Sequence, residues 1–210
     1  MLNLPVKVCE LFISLQGEGV LAGYLTTFIR LSGCNLNCPW CDTKYHSEGN
    51  KMSVEAIIDA VDNLQAKFVC ITGGEPLIQA GLFGLCRELR LRGKYVVIET
   101  NGTLPIDQRE ANKWVVDYKL PSAKPRIPFF EDNFNRMGKF DELKFVIADR
   151  ADYDEAKHIA TSGKFEGVVL FSPTPETRVS LADWMVADRL NGTKYSLQIH
   201  KILWNDRRGK

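Results

Sequence analysis

Short apolar runs alternate with helix-period segments along nearly all of the 210 residues, and no other feature constrains the fold as tightly. Residues 26–31 (TTFIRL), 68–71 (FVCI), 95–99 (YVVIE), 114–117 (WVVD), 143–147 (LKFVI), 168–171 (VVLF) and 195–198 (YSLQ) read as strands, with an opening strand over 6–14. Helical segments fall at 53–64, 79–92, 152–161 and 176–190. In the first of these Ser53 is placed to cap, and apolar residues recur at Val54, Ile57, Ile58 and Val61. Gly93 is placed to close the second. Such alternation predicts a mainly parallel α/β sheet. A closed eight-fold barrel takes about 250 residues, so six or seven strands at this length predict a partial, TIM-like β/α barrel of about six parallel strands. A doubly wound open sheet is the alternative that periodicity does not separate. One domain over 1–210 accommodates either.

Composition excludes several function classes. A formal charge of +1 with 25% charged residues carries no basic excess or stripe of the kind a nucleic-acid binder shows. No apolar run reaches membrane-spanning length, and the N-terminus lacks a basic region followed by an apolar stretch. The expectation is a cytoplasmic protein with neither a nucleic-acid nor a membrane partner. Thiols stay reduced there, so clustered cysteines point to metal or catalysis rather than to disulfides. Of the 6 cysteines, Cys9, Cys70 and Cys86 are dispersed among apolar residues and read as small buried hydrophobes.

Polar and glycine-rich chemistry falls after one strand after another. TTFIRL leads to Cys34, FVCI to Thr72-Gly73-Gly74-Glu75, and YVVI to Glu99-Thr100-Asn101. WVV leads to Asp117-Tyr118-Lys119, VVLF to Ser172, and YSLQ to His200, while Lys144 lies within its strand. In parallel α/β folds ligands bind at the carboxyl ends of the strands, so the series marks one rim as a site. Residues 120–140 show no period and carry three prolines, Pro121, Pro125 and Pro128. An irregular stretch of that length is expected to be a lid over the site or a surface excursion.

The sharpest signal is Cys34, Cys38 and Cys41, spaced C-x3-C-x2-C. A structural zinc site closed by His46 is one reading, although the chain offers no second cysteine pair. The other is a 4Fe–4S cluster, whose four iron corners take thiolate ligands. Three thiolates leave one corner open to a small molecule, as catalytic metal sites require.

This spacing, followed one strand and one helix later by Gly73-Gly74-Glu75-Pro76, resembles the radical S-adenosylmethionine enzymes. Leu15-Gln16-Gly17-Glu18-Gly19, Phe28 to Cys34, Cys41-Asp42-Thr43 and the ending with Gln198-Ile199-His200, Leu203-Trp204 and Arg207-Arg208-Gly209 narrow it. Together they resemble the 7-carboxy-7-deazaguanine synthase family from about residue 10 to the end. The resemblance implies a shortened barrel, usually a homodimer, that needs a 4Fe–4S cluster, S-adenosylmethionine and Mg²⁺. It implies ring contraction of the small-molecule substrate 6-carboxy-5,6,7,8-tetrahydropterin with loss of ammonia, and an electron donor such as flavodoxin or ferredoxin. Competing readings are another small radical enzyme, such as a glycyl-radical activase, and a non-enzymatic metal-binding module.

The resemblance also distributes roles. Cys34, Cys38 and Cys41 hold the cluster and Thr43 the Mg²⁺. S-adenosylmethionine is expected against Trp40, Asp42, Gly73, Gly74, Glu75, Glu99, Asn101, Asp117, Tyr118, Lys119, Lys144 and Ser172. The pterin is expected against Leu15, Gln16, Gly17, Glu18, Arg30, Thr72, His200 and Lys210. The chemistry fits: a carboxylate such as Glu18 accepts paired hydrogen bonds from an aminopyrimidinone edge, and Arg30 offers a fork to a carboxylate. A threonine hydroxyl is a hard oxygen ligand suited to Mg²⁺. The chain departs from many relatives at Asp117-Tyr118, where they carry Ser-Pro, and at Ile199, where some carry threonine.

Overall fold

Strand β1 (Val6–Leu15) turns back onto β2 (Leu25–Leu31), and the cysteine loop then leads through β3 (Asn50–Met52) into helix α1 (Val54–Leu64). The chain continues through β4 (Phe68–Gly73), α2 (Leu82–Leu91), β5 (Tyr95–Thr100), β6 (Lys113–Tyr118), α3 (Asn133–Arg136) and β7 (Glu142–Ile147). It ends with α4 (Arg150–Thr161), β8 (Val168–Pro173), α5 (Arg178–Ala187), β9 (Thr193–Tyr195) and α6 (Ile199–Trp204). This computed structural model describes residues 4–205 and 207–210.

The strands form one sheet in the order β3-β1-β2-β4-β5-β6-β7-β8-β9. From β2 to β9 every neighbouring pair is parallel, whereas β1 runs antiparallel to both β2 and β3. The expected parallel core is therefore present, and β9 extends it by one short strand. Because β3 and β9 are the two edges, the barrel is incomplete. Two contacts show that the sheet curls. Gln16, one residue past β1, donates to Glu99 on β5, and Glu18 accepts from Lys144 on β7. In a flat sheet at about 4.8 Å per strand those partners would lie roughly 14 and 24 Å away, beyond the reach of so short a segment. The doubly wound alternative falls on that ground.

Alternation along the strands sorts the two faces. Ile29, Leu31, Ile71, Ile98, Val116, Leu143, Phe145, Ile147 and Phe171 point outward into a core shared with the helices, including Ile57, Val61, Leu85, Leu89 and Tyr153. The opposite parity, with Phe28, Arg30, Thr72, Glu99, Val115, Asp117, Lys144 and Val146, faces a cavity. Ser53 caps α1 by accepting from the Ala56 amide, as its sequence position predicted. Cys70 and Cys86 are buried as expected, whereas Cys9 is only half-buried. No helix among the described residues is long and apolar enough to cross a membrane.

Three elements differ from expectation. The last strand is Thr193–Tyr195, and residues 199–204 are helical, so His200 lies in the first turn of α6 rather than at a strand end. The helix expected over 79–92 spans only Leu82–Leu91, and a separate 3-10 turn, Pro76–Ile78, capped by Glu75, precedes it. Residues 120–140 are not a lid, because none of them lines the cavity. Leu120, Ala123, Phe134 and Met137 are buried, and Phe129 packs on Tyr118 and Phe134 with ring centroids 4.8 and 4.9 Å apart. Asn133 pins the segment by donating to the Gly102 and Leu104 carbonyls and accepting from the Ile106 amide.

Candidate active site

The cavity, about 480 Å³, lies within the usual range for small-molecule sites and is reached from both ends of the sheet. The cysteine loop enters from the carboxyl end of β2. The turn after β1 enters from the opposite end, because Leu15 pairs with Leu25 at the start of β2.

Cys34, Cys38 and Cys41 all line the cavity. Among the described residues, no three His, Cys, Asp or Glu side chains converge on one metal-ion position. Three thiols opening onto one cavity suit three corners of a cluster. His46 contributes backbone instead, its carbonyl accepting from the Gly33 amide. Cys34 Sγ accepts from the Leu36 amide at 3.4 Å, and Asn101 Nδ2 approaches it at 3.9 Å while donating to Asn35. Burial raises the Cys34 and Cys38 thiols above their ordinary value.

The sequence places the paired glycines against S-adenosylmethionine. Gly73 and Gly74 do line the cavity, but a second demand is stronger. A Cβ on Gly74 would lie 1.8 Å from the Gly33 carbonyl oxygen, and the Glu75 amide donates to that same oxygen at 2.8 Å. The end of β4 is thus packed directly on the backbone of the cysteine loop. Glu75, fully buried, accepts from Thr100 Oγ1, the Asn101 amide and the Leu77 amide. Burial raises its carboxyl above the usual range despite these donors. It does not line the cavity, so its expected place against S-adenosylmethionine becomes one of holding Asn101 and the turn. Gly74→Ala is expected to destabilise the fold by about 1–3 kcal/mol, visible as a fall in Tm of roughly 2–10 °C. An unchanged Tm would contradict this packing.

A chain of buried charges crosses the cavity. Glu18 accepts from Lys144 Nζ at 2.7 Å and from Gln198 Nε2 at 2.8 Å. Lys144 also reaches Asp117 at 3.3 Å, and Asp117 pairs with Lys119 at 3.0 Å. Lys119 Nζ stands 5.4 Å from the centre of the Trp40 ring. Burial opposes the charge on Glu18, but Lys144, His200 and the hydrogen bonds outweigh it and lower its carboxyl to about 2. Burial likewise disfavours the Lys144 cation, yet Glu18 and Asp117 hold its pKa well above the ordinary lysine value. Burial lowers His200, only partly offset by Glu18, so the ring is neutral at pH 7. Glu99 accepts from Gln16 Nε2 at 3.2 Å and Thr72 Oγ1 at 3.0 Å, which ties it to residues expected at the pterin.

On the adjacent wall, Arg30 Nε pairs with Glu10 at 3.0 Å while Nη1 donates to Thr43 Oγ1, also at 3.0 Å. Thr43 in turn donates to Asp42 Oδ1 at 2.9 Å, and Lys201 on α6 reaches Asp42 at 3.8 Å. Burial would raise the Asp42 carboxyl, but Lys201 and Thr43 hold it below the usual range. Arg208 lies over the Tyr45 ring at 4.1 Å and pairs with Glu10 and Glu48. That anchor brings Lys210 into the cavity lining.

Leu15, Gln16, Gly17, Glu18, Arg30, Trp40, Asp42, Thr43, Thr72, Gly73, Gly74, Glu99, Asn101, Asp117, Lys119, Lys144, His200 and Lys210 therefore share the cavity with the cysteines. Tyr118 and Ser172 do not. Tyr118 has outward parity and packs among Phe129, Phe134 and Phe145. Ser172 shares the inner face with Val146 but is fully buried, and its hydroxyl lacks a hydrogen-bond partner. Sequence reasoning passed over Phe12 and Phe28, whose rings stack at 5.2 Å on the cavity wall. Period-two alternation would have found Phe28, since Arg30 faces inward.

Comparison with known proteins agrees with this geometry. Residues 28–148 match the model of the radical SAM superfamily. The 7-carboxy-7-deazaguanine synthase of Chlorobaculum tepidum is 40% identical, over 98% of this chain and 97% of its own. That of Clostridium acetobutylicum is 36% identical, over 95% and 96%. The crystal structure of QueE from Escherichia coli superposes with a TM-score of 0.74 at 25% identity, covering 92% of this chain and 93% of that one. A curled parallel sheet with three cysteines opening onto its cavity defines a radical S-adenosylmethionine enzyme. Within that class, the chain belongs to the 7-carboxy-7-deazaguanine synthase family.

Proposed function

We propose that the protein converts 6-carboxy-5,6,7,8-tetrahydropterin into 7-carboxy-7-deazaguanine with loss of ammonia, a step toward queuosine and related deazapurines. The observation that carries the reading is that the cysteine loop and the Gln16–Glu18 turn open onto one cavity from opposite ends. In this reading Cys34, Cys38 and Cys41 hold three corners of a 4Fe–4S cluster. S-adenosylmethionine lies against Trp40, Gly73, Gly74, Asn101, Asp117 and Lys119. When bound, the cluster and S-adenosylmethionine supply a carbon-centred radical that removes hydrogen from the substrate.

The chain's own residues do the binding and orienting. Glu18, ionised at neutral pH, accepts the donor edge of the aminopyrimidinone. The backbone of Leu15–Gly17 borders the same ring. Arg30 faces the substrate carboxylate, and neutral His200 can donate from one nitrogen and accept at the other. Phe12 and Phe28 supply an apolar wall that keeps water from the ring. Thr43, with Asp42 beside it, offers hard oxygens for Mg²⁺. A one-electron donor of the flavodoxin or ferredoxin type and a homodimeric assembly complete the proposal; exposed Ile202 and Leu203 on α6 are consistent with the latter.

The test is to reconstitute the protein anaerobically, reduce it, and supply S-adenosylmethionine with the carboxypterin. A deazaguanine product detected by ultraviolet absorbance is expected, and its absence rejects the reading. One zinc per chain with no iron or sulfide would reject it independently. Thr43→Ala is expected to weaken Mg²⁺ affinity at least about tenfold while leaving the cluster absorption intact. An unchanged Mg²⁺ titration would remove Thr43 from that role.

A further inference from the structure

The turn that carries Glu18 is held by a buried ion pair outside the cavity lining. Lys113 and Glu142 are the first residues of β6 and β7, their charged atoms 2.7 Å apart and their side chains 7% and 1% exposed. Glu142 Oε2 accepts from the Val20 amide at 3.2 Å. Gly19 lies against the same carboxylate with φ +75°, and a Cβ there would fall 2.3 Å from Glu142 Oε2. On the other side of the turn, Ser196 Oγ accepts from the Gly19 amide, Lys194 Nζ donates to the Gly19 carbonyl, and the Ile199 amide donates to the Gly17 carbonyl.

Stability does not explain the pair, because buried ion pairs are commonly replaced by apolar residues without loss. Register does. Glu142 and Lys144 are one strand repeat apart on the same face of β7, about 7 Å. The first holds the Val20 backbone and the second holds the Glu18 carboxylate. Two grips on a short turn fix both the height and the direction of Glu18. Lys113 in turn neutralises Glu142 and keeps its carboxylate aimed at the turn.

We propose that Lys113 and Glu142 are positioning residues for substrate recognition, acting through Glu18 without touching the ligand; this rests on the reading of Glu18 given above. The full-length reconstituted enzyme is assayed as Lys113→Met/Glu142→Leu, which keeps the volume but removes the acceptor for Val20, and as Lys113→Met/Glu142→Gln, which restores an acceptor. In the Leu variant the KM for the carboxypterin is expected to rise about 10–100-fold, the scale of an ångström misplacement. The KM for S-adenosylmethionine and the iron content should stay near wild type, and the Gln variant should recover most of the loss. A Leu variant with unmoved carboxypterin KM overturns the inference, as does a parallel rise in both KM values or a Gln variant no better than Leu. Wild-type enzyme that makes no product from the carboxypterin overturns the functional reading and this inference together.

Discussion

Replacing Cys34, Cys38 or Cys41 by alanine is expected to lower S-adenosylmethionine cleavage by more than about 10³-fold, equivalent to roughly 4 kcal/mol of barrier. Two thiolates hold only two corners of a cuboidal cluster, which leaves it open to loss. The loop itself should survive the change. Its frame is backbone: the Gly33 amide donates to the His46 carbonyl at 2.7 Å and the Glu75 amide to the Gly33 carbonyl at 2.8 Å. Each variant should therefore keep its circular dichroism spectrum while iron, sulfide and the cluster absorption fall. Cys9→Ala is the control, since Cys9 lies outside the cavity lining with its thiol against the Tyr45 carbonyl. Full iron content and cleavage in any one of the three cavity variants would contradict the ligand assignment.

Much of this was legible because buried parallel strands are written as short apolar runs bounded by turn residues. Residues 68–71 and 143–147 are the hearts of β4 and β7, and most of the polar residues that follow such runs line the cavity, Glu75, Tyr118 and Ser172 excepted. What escaped depends on contacts distant in sequence. His200 reached the site on a helix, because the Ile199 amide bonds Gly17, 182 positions earlier, and local propensity carries no trace of that. Residues 120–140 looked structureless because their order comes from Asn133 satisfying the backbone of residues 102–106 and from rings packed on Tyr118. Tyr118 was misplaced by counting a strand end as a block; alternation sends Asp117 and Lys119 inward and Tyr118 outward. Lys113 and Glu142, 29 residues apart, become a pair only through the β6–β7 register.

Glu18→Gln is the second large effect, with kcat/KM for the carboxypterin expected to fall about 10²–10³-fold, roughly 3–4 kcal/mol. The amide loses the charge that strengthens paired hydrogen bonds to the pterin edge, and it removes one of the two carboxylates that pair with the buried Lys144 ammonium. Affinity for S-adenosylmethionine should change much less, because Asp117 still pairs with Lys144 and Lys119. Stability carries an independent signature. The folded carboxyl titrates near 2 against an ordinary value of 4.5, so its contribution is fully present above pH 4.5 and is lost as pH falls toward 2. The unfolding free energies of wild type and Glu18→Gln should thus differ most at neutral pH and converge between pH 4.5 and 2, as urea melts across that range would show. A variant with wild-type kcat/KM would remove Glu18 from substrate recognition, and a stability gap that stays constant with pH would show that Glu18 is not the group held ionised by Lys144.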